Sequence, residues 1–322
     1  MKKSLVLLAG VVMFGISCNK SSNNEDETNS NEEITATQRS CGADDVLQQQ
    51  LIDDPTLAGR MNAIESFTKR VEENPLQYRL VNGVVEIPVV FNVLYKTSAE
   101  NISQAQLQSQ IDVLNEDFSA TNGDYNLTST YNSVKSGNIA VRFVLDAVIR
   151  QQTNTRSWGT NDAMKKSPKG IAPTSPTSKL NIWVCNMGGG ILGYAQFPGG
   201  NSATDGVVLD NNATGNTGTA AAPFNKGRTA THEVGHWMNL RHIWGDATCG
   251  NDQVGDTPTH NTANYGCPSP GHKSTCSGTP VEMTMNYMDY SDDACMYMFS
   301  VGQETRMLAV FANGGPRANF AQ

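Results

Sequence analysis

The stretch HEVGHWMNLRH, His232 to His242, decides the reading of this chain. His232 and His236 are four residues apart, so on a helix they share one face and can grip one cation. Glu233 stands beside such an ion without binding it, where a general base for a metal-activated water belongs. His242 lies six residues past His236. On a continuing helix it would be rotated by about 240° and carried ~9 Å along the axis. It can join the other two only if the helix stops and the chain turns back. Such a turn needs a residue that accepts positive φ; glycine is best and asparagine next. Asn239, three residues after His236, supplies it. A lone HExxH arises by chance in some chains, but the third histidine makes coincidence a poor account of the whole stretch.

The 322 residues suffice for one large domain or two modest ones. Acidic residues outnumber basic ones, 31 to 23, for a net charge of -8. That balance argues against nucleic acid as a partner, which would need clustered Lys and Arg. The first 18 residues, MKKSLVLLAGVVMFGISC, read as an export signal. Lys2 and Lys3 precede an apolar stretch, Leu5 to Ile16, that is short for a bilayer span. Small residues then lead to Cys18, a candidate lipidation site, although Gly15-Ile16-Ser17 lacks the leucine usual in a lipobox. The competing reading is ordinary secretion. The expected location is therefore outside the cytoplasm, as an envelope lipoprotein (outer membrane or cell surface) or a secreted protein. Any membrane association would run through that anchor alone. Residues 19–59 begin with NKSSNNEDETNSNEE and are expected to be a disordered tether and pro-segment.

A folded domain is expected from about Arg60 to the end. MNAIESFTKRVEE reads as a helix, and VVEIPVVFNVLY (Val84 to Tyr95) as a buried strand. Ser103 caps a helix with apolar positions at Leu107, Ile111, Leu114 and Phe118. IAVRFVLDAVI, KLNIWVCNM and DGVVLD read as further strands. Past His242 the chain is dense in Gly, Pro, Asn and Asp, and a loop that long needs an internal support. Cys249, Cys267, Cys276 and Cys295 fall there and suggest two disulfides, with three pairings open. Cys185 lies in an apolar run and reads as a buried thiol. In NDQVGDTP, Asp252, Asp256 and Thr257 with the Val254 carbonyl offer oxygen ligands for Ca2+; the competing reading is a solvated acidic turn. SVGQETRMLAVFA reads as a capped C-terminal helix.

The histidine stretch resembles the extended zinc motif of metzincin metallopeptidases, HExxHxxGxxH, with Asn239 replacing the glycine. NYMDY (Asn286 to Tyr290) looks like a Met-turn centred on Met288. GHWMNLRHIWGD, LGYAQFP, DTP and FSVGQETRM resemble the pappalysin family, specifically its bacterial secreted members, over about residues 60 to 322. The resemblance implies an α/β (α+β) metzincin-type zincin. A twisted mixed sheet with backing and active-site helices would form the N-terminal half, with the zinc helix at about 226–239. An irregular, disulfide-held C-terminal half would end in a helix.

For the site, the resemblance implies Zn2+ on His232, His236 and His242 with a water in the fourth position. Glu233 would be the base, and Tyr290 a donor to the tetrahedral intermediate. Gly193, Tyr194 and Ala195 would form an edge strand that pairs with an extended substrate; a simple hairpin is the plain alternative. Cys249 would pair with Cys276 and Cys267 with Cys295. Asp292 and Asp293 would line the pocket after the cut and favour Arg or Lys there; the plain alternative is that both carboxylates point to solvent. Cys41, left without a disulfide partner, resembles a cysteine switch that fills zinc's open position in a latent form, with Arg39 pairing a cleft carboxylate; a solvent-exposed or dimer-forming thiol is the plain alternative. Cutting at Gly59-Arg60 would then release it. The chain thus reads as an exported zinc endopeptidase acting on protein or peptide substrates, expected as a monomer. Two other readings compete with it. One is a catalytically inactive zinc-containing surface adhesin on the same fold, which retention of Glu233 and Tyr290 opposes. The other is a non-peptidase HExxH hydrolase, which the third histidine and the Met-turn oppose.

Overall fold

The Val-rich run Val85–Tyr95 forms β1, a long strand of a five-stranded sheet. The protein is seen here as a computed structural model that describes residues 36–74, 83–127 and 130–321. The export signal, Cys18 and the start of the tether lie outside the described residues. The strands are β1, β2 (Val141–Gln152), β3 (Leu180–Cys185), β4 (Gly193–Ala195) and β5 (Val207–Asp210). Their order is β2-β1-β3-β5-β4. All neighbours run parallel except β4, which pairs antiparallel with β5 and forms the edge.

Both faces of the sheet are covered, so its strands carry apolar residues on alternate positions of both sides. Ile182 and Val184 of β3 join one core, with Leu107, Ile111, Leu114 and Phe118 of α3 (Gln104–Phe118) and Ala230, Val234 and Trp237 of α4 (Arg228–Trp237). Trp183 and Cys185 point the other way. Their core is closed by Ala43, Val46 and Leu47 of α1 (Ala43–Asp53) and Leu57 of α2 (Leu57–Glu73). Ser103 caps α3 by accepting from the Gln106 backbone N–H.

After α4 the described chain holds no strand or α-helix until α5 (Val301–Ala309), which Ser300 and Gln303 open with a reciprocal capping box. Disulfides Cys249–Cys276 and Cys267–Cys295 hold this irregular half together. Among the described residues no helix is long and apolar enough to cross a membrane.

Two expectations need correction. Residues 43–53, read as part of a structureless tether, form α1, because Ala43, Val46 and Leu47 find an apolar face to cover. The Gly59-Arg60 bond, expected at the boundary between the tether and the folded domain, lies within the first turn of α2.

Candidate metal centre

α4 is buried along its whole length. Its start is anchored from beneath: Asp117 of α3 accepts from the Thr231 hydroxyl at 2.6 Å, and Arg228 pairs with Asp117 and Asp124. The helix ends at Trp237, and Asn239 then adopts φ 75°. That left-handed residue reverses the chain, with Asn239 N–H donating to the His236 carbonyl and Leu240 N–H to the Gly235 carbonyl, both at 2.9 Å. The reversal brings His242 back to its partners. The Nε2 atoms of His232 and His236 are 3.2 Å apart, and those of His236 and His242 are 3.1 Å apart.

The other ring nitrogens fix the tautomers. Nδ1 of His232 faces the Tyr287 carbonyl at 2.7 Å, and Nδ1 of His236 the Leu240 carbonyl at 2.8 Å. Nδ1 of His242 faces the Asp246 carboxylate. Each acceptor calls for a proton on Nδ1 and leaves a lone pair on Nε2. Burial holds His232 well below the usual imidazole range and lowers His236 to about 3, so both are neutral. Three converging lone pairs repel one another unless a cation sits among them. The donor set, three imidazoles with room for a fourth ligand, fits zinc.

Around this centre the remaining residues fall into place. Met288 is fully buried, and its sulfur lies 2.5 Å from where a Cβ on Gly235 would be, so α4 rests on the Asn286–Tyr290 turn only because residue 235 is glycine. Glu233 is 1 % exposed, and burial pushes its carboxyl up to about 8. The Cys41 sulfur and the three histidine nitrogens all lie within 4.8 Å of one another, the one such cluster among the described residues. Its thiol donates to Glu233 Oε2 at 3.3 Å, and burial followed by the Glu233 carboxylate pushes it well above the usual thiol range. The Tyr290 hydroxyl donates to the Cys41 carbonyl and accepts from the Cys41 N–H, each at 3.2 Å.

Residues 40–42 lie along the edge strand. Gly42 N–H donates to the Gly193 carbonyl and Leu192 N–H to the Ser40 carbonyl, both at 2.9 Å. A Cβ on Gly193 would come within 2.7 Å of the Val208 carbonyl and 3.1 Å of Glu233 Cγ. The side chains of Tyr194 and Ala195 face inward, Tyr194 donating to Asp162 at 2.9 Å, so only their backbone is available to a ligand. Of the two acidic residues after Tyr290, Asp293 alone is turned fully inward. It pairs with Arg39 at 2.5 Å. The same guanidinium donates to the Ser291 carbonyl and the Thr229 hydroxyl, each at 3.2 Å, and stands 5.1 Å over the Phe224 ring. Asp292 is half-buried, its backbone N–H bonded to Gly266.

The oxygen groups read as calcium ligands divide. Thr257 donates to Asp252 at 2.8 Å and to the Val254 carbonyl at 3.1 Å. Asp256 instead accepts from the Ser300 hydroxyl and Gly302 N–H at the start of α5. Two groups at the metal centre escaped the sequence reading. Asp246 orients His242, and the Trp244 ring stacks on His242 at 4.3 Å. Both lie within GHWMNLRHIWGD, but the resemblance of that stretch gives neither of them a role.

The family profile described as pregnancy-associated plasma protein-A matches residues 177–312. An extracellular metalloprotease of Verticillium alfalfae is 33% identical over 238 residues, 71% of this chain and 78% of that protein. Extracellular metalloprotease 1 of Coccidioides posadasii is 34% identical over 241 residues, 70% and 77% of the two chains. Among solved structures, mature mirolysin of Tannerella forsythia with a cleaved peptide superposes with TM-score 0.71 and 42% identity, over 74% of this chain and 95% of that one. A promirolysin mutant from the same organism gives TM-score 0.79 and 39% identity, over 88% and 97%. The metal-ready histidine cluster, the mixed sheet and these relatives agree: the chain belongs to the pregnancy-associated plasma protein-A (pappalysin) family and is a metzincin metalloendopeptidase.

Proposed function

We propose that the protein is an exported zinc endopeptidase made as a latent zymogen, in which Cys41 closes the metal site and Arg39 fills the specificity pocket. The observation that carries this reading is the convergence of the Cys41 sulfur with the three histidine nitrogens. His232, His236 and His242 would hold the ion. Zinc, when bound, polarises the scissile carbonyl and the attacking water. Glu233 takes the proton from that water and passes it to the leaving amine. Tyr290, freed from the Cys41 backbone, donates to the developing oxyanion. The backbone of Gly193–Ala195 aligns the substrate as an added strand.

Latency follows from occupancy. The chain from Ser40 to Gly42 uses the edge-strand groups that a substrate needs. The Cys41 sulfur would fill the fourth ligand position of a bound zinc, and its backbone engages Tyr290. Arg39 sits on Asp293, which supports a preference for Arg or Lys after the cut, because a substrate guanidinium would find the same carboxylate, carbonyl and hydroxyl. A cut near Gly59-Arg60 would follow unwinding of the first turn of α2 and would release the latch. Export is supported by the extracellular relatives; attachment through a lipid on Cys18 is our extension of it. Calcium at residues 252–257 is left out of the proposal, since Asp256 is engaged by α5.

Casein zymography tests the reading. Wild type should clear casein. Glu233→Ala, and wild type with a zinc chelator, should not. Clearing that survives both treatments would overturn it.

A further inference from the structure

We infer that Arg306 is a positioning residue for the metal centre and that Glu65 of α2 completes it; this rests on the reading of His242 as a zinc ligand. The last carbonyls of any helix lack intrahelical partners. In α4 the Gly235 and His236 carbonyls are satisfied by the returning backbone. The carbonyls of Trp237 and Asn239 are satisfied by two guanidinium groups from the C-terminal part of the chain. Arg317 Nε donates to Trp237 at 2.9 Å, and Arg306 Nε donates to Asn239 at 2.8 Å. Each guanidinium is held from behind by a carboxylate. Asp205 binds Arg317 at 2.6 and 2.9 Å. Glu65 takes both terminal nitrogens of Arg306, one of them at 3.0 Å.

The two arginines do different work. Arg317 closes the helix end and covers the Trp237 ring at 3.9 Å. Arg306 acts one step further on, at the left-handed residue itself. The Asn239 carbonyl belongs to the peptide leading into Leu240, and the Leu240 carbonyl is the acceptor that orients His236. Two residues later comes His242. Rotation of that peptide would disturb both ligands. The Asn239 side chain cannot restrain it, because its amide nitrogen has no hydrogen-bond partner. Arg306, 1 % exposed and forked between Glu65 and the turn, can. α2 thereby belongs to the support of the metal site. The removable pro-segment must end before Glu65.

The test uses the full-length chain carrying Glu233→Ala, so that no molecule is cut, loaded with zinc. Arg306→Lys and Glu65→Gln are compared with this parent, each with His242 present and with His242→Ala. Zinc release to a chromophoric chelator and the melting temperature of the metal-free protein are read. With His242 present, both substitutions should speed release about 10-fold while the metal-free melting temperature barely moves. With His242→Ala, which itself speeds release, Arg306→Lys should add less, since one of the two ligands it positions is gone. An equal acceleration in both backgrounds, or none with His242 present, would overturn the inference. Should Arg306→Lys fold poorly, Glu65→Gln carries the same comparison from a partly exposed position. Release unchanged by His242→Ala alone would instead remove the underlying ligand assignment.

Discussion

Asn239 has φ 75° and an unpaired side-chain amide, so what it brings to the turn is backbone tolerance. Asn239→Gly should therefore keep zinc and change stability by no more than about 1 kcal/mol. Asn239→Val should release zinc at least ~10-fold faster, because a β-branched residue resists positive φ and drags His242 out of place. Zinc content after dialysis separates the two, and equal retention would remove the turn from the account. Asp293 offers a second residue-level test. In a chain beginning at Arg60, Asp293→Asn should lower kcat/KM on substrates with Arg after the cut by roughly 30-fold or more, as expected for unpairing a buried guanidinium. A cleavage profile across a peptide library measures it, and unchanged basic enrichment would refute the pocket. The residue scale is also where the sequence was most legible. The spacing of His232, His236, Asn239 and His242 announces a three-ligand site without any structure. Asp246 and Trp244 stand inside the quoted GHWMNLRHIWGD, but their contacts with the His242 ring depend on how the loop folds back, which the stretch alone does not show.

Among the elements, β4 carries the closest tolerances. It lies near enough to α4 that a Cβ on Gly193 would meet both Val208 and Glu233. Gly193→Ala should push the edge strand or the Glu233 carboxylate aside. Activity of the mature chain should fall about 100-fold, because small displacements of a positioned group are costly. Zinc content should stay normal, since the ligands come from α4 and the loop after it. Parallel loss of zinc would show that the strand supports the metal site itself. The long strands and α3 were legible because their apolar residues follow periods of 2 and 3.6. α1 was not. Its sequence is mostly Asp and Gln, and only Ala43, Val46 and Leu47 are buried, too few to mark a periodicity. It is helical because those three cover Trp158, Trp183 and Tyr194, a surface built from residues over a hundred positions away. Likewise Gly59-Arg60 stands at the expected end of the tether, yet Arg60 donates to the Gly199 carbonyl at 2.7 Å and pairs with Asp54, which ties down the first turn of α2.

For the whole molecule, stability and latency both depend on groups buried in the irregular half. Asp252 is 5 % exposed, and burial raises its carboxyl to about 6. Its unfolded value is near 3.9, so the folded state holds the proton more tightly. The penalty for ionising it is absent below the unfolded pKa, grows as pH rises, and is complete above the folded pKa. With a chelator present, wild type should lose up to about 3 kcal/mol relative to Asp252→Asn between pH 4 and pH 7. Denaturant titrations of both proteins check this, and a difference independent of pH would mean that Asp252 is not raised. The central claim is that one zinc ion is shared by His232, His236 and His242 in every form of the protein and gains the Cys41 sulfur only in the latent one. X-ray absorption at the zinc edge measures it directly, on chains carrying Glu233→Ala to prevent cutting. The full-length chain should show three nitrogen neighbours at about 2.0 Å and one sulfur at about 2.3 Å. The chain beginning at Arg60 should keep the three nitrogens and exchange the sulfur for an oxygen. The same first shell in both chains, or fewer than three imidazole nitrogens in either, would contradict the account.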